Sequence, residues 1–73
     1  MISLRDDVLR VFIDYADREM RARDVRDVLA QRGRIYAGDG NVSVMCARLY
    51  REAQLFRVRE GNVAWYSVAR AMR

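Results

Sequence analysis

The sequence has no histidine, no lysine and no proline, and its one cysteine is Cys46. Without histidine and with a single thiol, the chain lacks the usual ligands of a zinc site and the base of a Ser-His or Cys-His hydrolase. One cysteine cannot close an internal disulfide, which fits a reducing cytoplasm. We therefore expect no catalytic residues, no metal ligands and no cofactor.

Long apolar stretches are also lacking. Uninterrupted apolar runs reach no more than four or five residues, far short of the ~20 that span a bilayer. However, 52% of the residues are apolar and 33% are charged, which is typical of a folded protein and not of a disordered tail. We expect a single cytoplasmic domain over residues 1–73, with no membrane partner and no small-molecule ligand. The initial methionine and the lack of a tag favour a whole small protein.

All positive side-chain charge is carried by arginine, and it is unevenly distributed. Residues 1–20 contain three arginines and five acids, a local charge of −2, whereas residues 21–73 contain eleven arginines and five acids, a local charge of +6. The use of arginine alone has two compatible explanations. A GC-rich genome favours arginine codons, and arginine suits bidentate recognition of phosphate and guanine. The asymmetry favours one face that binds a polyanion.

Apolar spacing predicts a first helix over Leu4–Asp17, with a start at Ser3 that resembles a capping box. Leu9 and Ile13 widen its apolar arc beyond the ~100° that one core requires. This edge either packs within the domain or forms a dimer interface with a second chain. The remaining residues divide into a core side and a polar side: Leu4, Val8, Val11, Phe12 and Tyr15 against Asp6, Asp7, Arg10, Asp14 and Asp17.

Two further helices follow. The second is predicted over Ala22–Arg32 and ends at Gly33, a natural C-terminal stop. Residues 34–40 are interpreted as a loop because they contain Gly38-Asp39-Gly40, and the apolar pair at 35–36 is expected beneath it. Asn41 is predicted to cap a third helix that extends to about Ala53. The residues assigned to the core side of these helices are Val25, Val28, Leu29, Val42, Met45, Cys46, Leu49 and Ala53.

The last part of the chain changes from a helical period to alternation. Residues 56–59 alternate apolar and basic, Gly61-Asn62 supplies a two-residue turn, and residues 63–68 are rich in β-branched and aromatic side chains. This pattern predicts a hairpin with a type II′ turn. The expected register sets Val58 opposite Trp65 and Arg57 opposite Tyr66. Phe56, Val58 and Trp65 are expected to face the core, and Arg57, Arg59 and Tyr66 to face outward. Residues 69–73 are expected to form a final turn or to fray.

Three helices followed by a hairpin, with a small basic face on the third helix, resemble the winged helix-turn-helix family of DNA-binding domains. The resemblance extends over Leu4–Val68. Ala22–Leu29 matches the support helix, Val44–Leu55 matches a recognition helix that leads into the first wing strand, and Gly61–Val68 resembles the second wing strand. The implied fold is mainly α with a small β-hairpin, a winged helix-turn-helix.

The chain departs from the family pattern at two places. The link between Arg32 and Asn41 is about nine residues, longer than the 3–4-residue turn of a helix-turn-helix. Gln54 occupies the position where the family usually has glycine after the recognition helix. The longer link changes how the third helix is presented, and neither departure changes the expected fold.

The resemblance implies a double-stranded DNA-binding protein whose third helix lies in the major groove and whose wing contacts the backbone. Arg48 is the preferred base reader, and Ser43 with the free amides at the helix start suits a phosphate. The full set of expected DNA contacts is Arg21, Arg23, Asn41, Ser43, Val44, Ala47, Arg48, Arg51, Arg57 and Arg59.

The expected role is sequence-specific or semi-specific binding, as a transcriptional regulator or as a DNA-organising factor of the plasmid or phage type. Leu9 and Ile13 would form a homodimer interface, or copies would assemble cooperatively on DNA. The alternative is a winged-helix module that binds another protein through the third helix and does not bind DNA. A charge of +6 over residues 21–73 favours DNA, because a protein-docking module has little need of it.

Overall fold

The computed structural model describes residues 3–34 and 39–68 and shows three helices followed by a two-stranded antiparallel sheet. The predicted winged helix-turn-helix architecture, mainly α with a small hairpin, is confirmed. The predictions for Ile35, Tyr36, Gly38 and residues 69–73 lie outside the described residues. The elements are α1 (Leu4–Asp14), α2 (Ala22–Gln31), α3 (Asp39–Arg51), β1 (Phe56–Glu60) and β2 (Val63–Ser67).

The core lies where the three helices meet, and the wing closes it. Apolar residues at helical spacing from each helix are buried, as the sequence predicts. Leu4, Tyr15, Val28 and Met45, also assigned to the core side, are partly buried against it. Ala53 was assigned there incorrectly, because it lies beyond the end of α3 and is exposed. The buried apolar residues are Val8, Val11, Phe12, Met20, Val25, Leu29, Val42, Cys46, Leu49, Leu55 and Tyr66.

The predicted helix bounds need four corrections. α1 ends at Asp14, α2 at Gln31 and α3 at Arg51, each earlier than predicted, and α3 begins at Asp39. Asn41 is therefore inside α3 and is not its N-cap.

Gly38 and Gly40, on either side of Asp39, had favoured a loop in the sequence analysis. However, a glycine within a helix lowers helix stability by only about 1 kcal/mol. Burial of Val42, 1% exposed, offsets that cost.

Asp7 was assigned to the solvent side of α1, but only 8% of its surface is exposed. Its carboxylate lies 3.9 Å from the guanidinium of Arg34, beyond the end of α2. A buried carboxylate needs such a partner to offset lost hydration. The helical period alone did not reveal this, because Arg34 comes from a different element.

Both α2 and α3 end in a Schellman motif. At the end of α2, Arg34 N–H donates to Leu29 O at 2.8 Å and Gly33 N–H to Ala30 O at 3.0 Å. At the end of α3, the equivalent bonds join residue 54 to 49 at 2.8 Å and residue 53 to 50 at 3.0 Å. Gly33 has φ +75° and Ala53 has φ +62°. The residue in the left-handed region is therefore Ala53, one position before Gln54. Glycine at position 53 would remove the steric cost of that conformation.

Replacing Ala53 with glycine and Gly33 with alanine is expected to change the free energy of unfolding in opposite directions. Ala53→Gly removes the steric cost of a left-handed alanine and raises the free energy of unfolding by about 1 kcal/mol, whereas Gly33→Ala lowers it by about 1 kcal/mol. No described atom lies within 4 Å of a Cβ built at Gly33, so that loss is conformational. Thermal unfolding should show shifts of about 4–8 °C in opposite directions. Shifts in the same direction would contradict this account.

The hairpin register is as predicted, and Arg59 is exposed as predicted, but the facing of Phe56, Val58 and Tyr66 is reversed. Arg57 pairs with Tyr66 and Val58 with Trp65, and the φ of +61° at Gly61 with no positive φ at Asn62 fits a type II′ turn. Tyr66 is 5% exposed, whereas Phe56 is 46% exposed and Val58 is 39% exposed. Trp65 is half-buried.

The reversal follows from a third strand-like segment. Met20, between α1 and α2, exchanges two backbone hydrogen bonds of 2.8 Å with Tyr66. This bridge adds Met20 to the edge of β2, and the side chains of Met20 and Tyr66 are both buried in the core. Two strands alone do not specify which of their faces is covered.

Candidate nucleic-acid interface

A cleft of about 470 Å³ lies between the wing, the N-terminal end of α2, and α3. The pairing of Met20 with Tyr66 places the start of α2 beside β2 and so forms two walls of this cleft. Six of the ten predicted DNA contacts line it: Arg21, Arg23, Ser43, Ala47, Arg57 and Arg59. The other four, Asn41, Val44, Arg48 and Arg51, are exposed on α3.

The outward surface of α3 is small in side-chain volume near its middle and basic near its end. Val44 is 64% exposed, Ser43 is exposed and Ala47 is half-buried. Arg48 and Arg51 lie in the last turn, where positive charge interacts favourably with the helix dipole. Because α3 begins at Asp39, Ser43 is the fifth helical residue. Its amide is beyond the four unpaired N–H groups of a helix start, so Ser43 can offer an anion only its hydroxyl.

Arg21 is engaged by neighbouring side chains at the start of α2. Its Nε and Nη2 each donate to the Asp24 carboxylate at 3.1 Å, and its guanidinium lies 5.1 Å from the Trp65 ring centroid. The hydrogen bond with Asp24 raises the pKa of Arg21, and the same bond lowers the pKa of Asp24. The Asp24 carboxylate also accepts from the Arg21 backbone N–H at 3.0 Å, half of a capping box. Arg21 thus fixes the junction between α2 and the wing.

Arg57 connects the wing to α3. Its guanidinium lies 4.1 Å from the ring centroid of Tyr50, which is near the end of α3. A cation held over an aromatic face in this way retains its N–H donors at the guanidinium edge. In contrast, Arg23, Arg51 and Arg59 make no ion pair or aromatic contact with any residue in 3–34 or 39–68.

Arg48 makes a contact that the sequence interpretation missed. Its Nε donates to Oε2 of Glu52 at 3.1 Å. Oε1 of Glu52 accepts from Nε and Nη2 of Arg5 at 3.2 and 3.0 Å. These bonds hold the pKa of Glu52 below its usual value, and the bonds from Arg5 contribute more than the bond from Arg48. The i,i+4 spacing of Arg48 and Glu52 could have indicated one pair, but no sequence signal indicates Arg5, 47 residues away.

The acids of α1 neutralise arginines outside the cleft. Asp14 lies 3.3 Å from Arg10 and 3.0 Å from Arg32, and Asp7 lies 3.9 Å from Arg34. These pairs place the negative excess of residues 1–20 against the basic residues of α1 and of the end of α2. The excess of arginine therefore remains on α3, the start of α2 and the wing, where it attracts anions.

The predicted dimer residues have different environments. Ile13 is 51% exposed, whereas Leu9 is half-buried and packs against the core. Both border a shallow depression on α1 together with Asp6, Asp7 and Arg10. The apolar surface available to a second chain here is therefore mostly that of Ile13.

Cys46 is fully buried on the inner side of α3, and burial raises the pKa of its thiol to about 12. A thiol in this state does not act as a nucleophile at neutral pH. Within residues 3–34 and 39–68, no group of three or more His, Cys, Asp or Glu side chains is placed to hold a metal ion. No helix in that part of the chain combines the length and apolar content needed to cross a membrane.

The chain is similar in structure to the ferric uptake regulator of Francisella tularensis, solved with iron. The TM-score is 0.84 at 16% sequence identity, and the match covers 100% of this chain and 56% of that one. This similarity shows the winged-helix fold. The chain thus spans little more than half the length of the regulator that it matches. No protein-family model and no curated protein matches the chain.

Proposed function

We propose that this protein binds double-stranded DNA, with α3 in the major groove and the wing against the sugar–phosphate backbone. The supporting observation is that arginines from α2 and β1 line one cleft together with Ser43 and Ala47 of α3. In a winged helix this cleft borders the exposed face of the third helix. Guanidinium groups at such a position suit phosphate oxygens, which supply most of the affinity for DNA.

Different arginines have different proposed roles. Arg23 and Arg59, exposed on opposite walls of the cleft, contact phosphates on either side of the groove. Arg51 and Arg57 add positive charge at the end of α3 and at the base of the wing. Arg21 mainly orients the start of α2, because Asp24 and Trp65 already engage it.

The bases are read by the exposed face of α3. Arg48 is the proposed reader of guanine, and Val44 and Ala47 present apolar groups that suit a thymine methyl. Asn41 and Ser43, one turn or more before Arg48, supply polar contacts to the same groove. The binding would be sequence-specific or semi-specific, in a transcriptional regulator or a DNA-organising factor.

A single module of this size makes few phosphate contacts, so we propose that it binds as a homodimer or as a cooperative assembly. Ile13, with Leu9 beside it, is the proposed dimer contact on α1. This side of α1 carries the ion pair between Arg10 and Asp14 and is separate from the arginines of the cleft. The corresponding location is the cytoplasm, in association with the nucleoid.

The test is binding of a random-sequence DNA duplex across a series of salt concentrations. If each copy neutralises ~4–5 phosphates, log K should fall against log salt with a slope of about −4. Arg59→Ala should weaken binding and reduce the slope by about 0.9, and Arg48→Ala should also weaken binding. Arg18→Ala removes the same charge from the exposed segment after α1, away from the cleft, and should leave the slope unchanged.

The contrary result is no salt-dependent binding at low ionic strength. The exposed Val44 on α3 would then favour the second interpretation, in which this face docks another protein. A pull-down with wild type and Val44→Asp would identify that interaction.

A further inference from the structure

Glu52 carries a negative charge that favours neither the stability of α3 nor general affinity for DNA. It directly follows α3, where the helix dipole disfavours negative charge. It also lies next to the proposed DNA-binding face, where a carboxylate repels phosphates of any sequence. Its carboxylate nevertheless occupies a defined position, because it accepts hydrogen bonds from two arginines.

The two oxygens of Glu52 have separate partners. Oε1 is bound by Arg5 of α1 through two N–H groups, at 3.2 and 3.0 Å, which anchors the carboxylate to a different helix. Oε2 accepts from Nε of Arg48 at 3.1 Å. Arg5 therefore holds Glu52, and Glu52 in turn holds one edge of Arg48.

The edge that Glu52 uses determines what Arg48 can still bind. A guanidinium has five N–H donors in a planar fork. With Nε directed to Glu52, the end of the fork formed by Nη1 and Nη2 keeps its donors for another acceptor. Two parallel donors at that spacing match O6 and N7 of guanine in the major groove. The Arg48 side chain is 58% exposed, so a base can approach it.

We propose that Glu52 is a positioning residue that makes the protein specific for a guanine, by holding Arg48 so that its terminal N–H groups face the base edge. This inference rests on the proposed DNA-binding function. Glu52 lowers affinity for all DNA through its charge, and it increases the difference between sites with and without the guanine. If Glu52 formed only an ordinary surface ion pair, its charge would lower affinity for all DNA but would not change the preference for guanine.

The experiment begins by selecting preferred duplexes from a random library with wild-type protein. Binding is then measured for the selected duplex, for duplexes with each guanine replaced in turn by adenine, and for a random duplex. The proteins are wild type, Glu52→Gln, Arg48→Ala and the double variant. Glu60→Gln at the wing turn is the matched control, because it removes the same charge from an exposed carboxylate that has no arginine partner among the described residues.

Wild type should prefer guanine over adenine at one position by about 5- to 150-fold, the range of a bidentate arginine–guanine pair. Glu52→Gln should reduce that ratio by about two- to fivefold, while its affinity for the random duplex rises. Glu60→Gln should raise random-duplex affinity similarly and leave the ratio unchanged. Arg48→Ala should remove the preference at the same position, and adding Glu52→Gln should change the ratio no further.

The inference is overturned if selection yields no guanine preference, or if Glu52→Gln and Glu60→Gln have the same ratio as wild type. These outcomes differ from failure of the proposed function, in which wild type does not bind the random duplex in a salt-dependent manner. Circular dichroism and thermal unfolding of each variant establish that a lost preference is not lost folding.

Discussion

Phe12→Ala is expected to leave the domain at or beyond the limit of its stability. Phe12 is fully buried and is among the largest side chains in the core. Removing a buried phenylalanine costs about 3–5 kcal/mol, from lost burial and from the cavity left behind. A domain of 73 residues has about 4–11 kcal/mol of folding free energy in total. The substitution therefore removes a large fraction of it.

Urea unfolding followed by circular dichroism measures this effect. Ile13→Ala is the control, because Ile13 is the next residue of the same helix and is 51% exposed. The free energy of unfolding should change by less than about 1 kcal/mol there. Equal losses at both positions would show that α1 packs differently. If Ile13 joins two copies, its small effect should grow with protein concentration.

Reversing two charges on the proposed DNA-binding face, Arg51→Glu with Arg59→Glu, is expected to lower affinity for a duplex by at least ~100-fold at low salt. Each substitution removes one phosphate contact, so about two counterions fewer are released, and each adds a negative charge that repels the phosphates. Both side chains are exposed and make no ion pair with a described residue, so folding should be preserved. Fluorescence anisotropy with a labelled random duplex measures the loss.

The control for this variant is Arg10→Glu with Arg18→Glu. It lowers the formal net charge of +4 by the same amount, but the substituted residues belong to α1 and the segment after it. When both variants are also measured at ~0.1 M salt, its affinity should fall much less, because repulsion at a distance is then screened over ~10 Å. Similar losses in both variants would mean that net charge alone governs binding and that the cleft has no special role.

The fold was predictable because the periodicity of the apolar residues was clear in each element. Val8, Val11 and Phe12 recur at helical spacing and are all buried. Gly61-Asn62 between two short alternating runs specified a two-residue turn, and with it the register of β1 against β2. The basic outward surface of α3 was predictable from the same periodicity. Helical residues that lie between those of the buried stripe point away from the core.

The errors arose where local pattern does not identify the neighbouring element. The face of the wing depends on Met20, which pairs with Tyr66 from the segment between α1 and α2. Without knowledge of that bridge, the alternation of β1 favours the face with Phe56 and Val58, and these two side chains are exposed. The first turn of α3 was interpreted as loop because glycine has low helix propensity, which tertiary packing of Val42 overrides.

The sequence by itself determined the order of elements, the core stripes of the helices, the turn of the wing and the concentration of arginine after residue 20. These are local properties, set by spacing along the chain and by residue type. Only the tertiary structure decided which arginines are already engaged by the protein and which are presented on its surface. Glu52 shows why: its partners Arg5 and Arg48 lie 47 and four residues away. Contacts between distant residues depend on how helices pack, and periodicity contains no record of them.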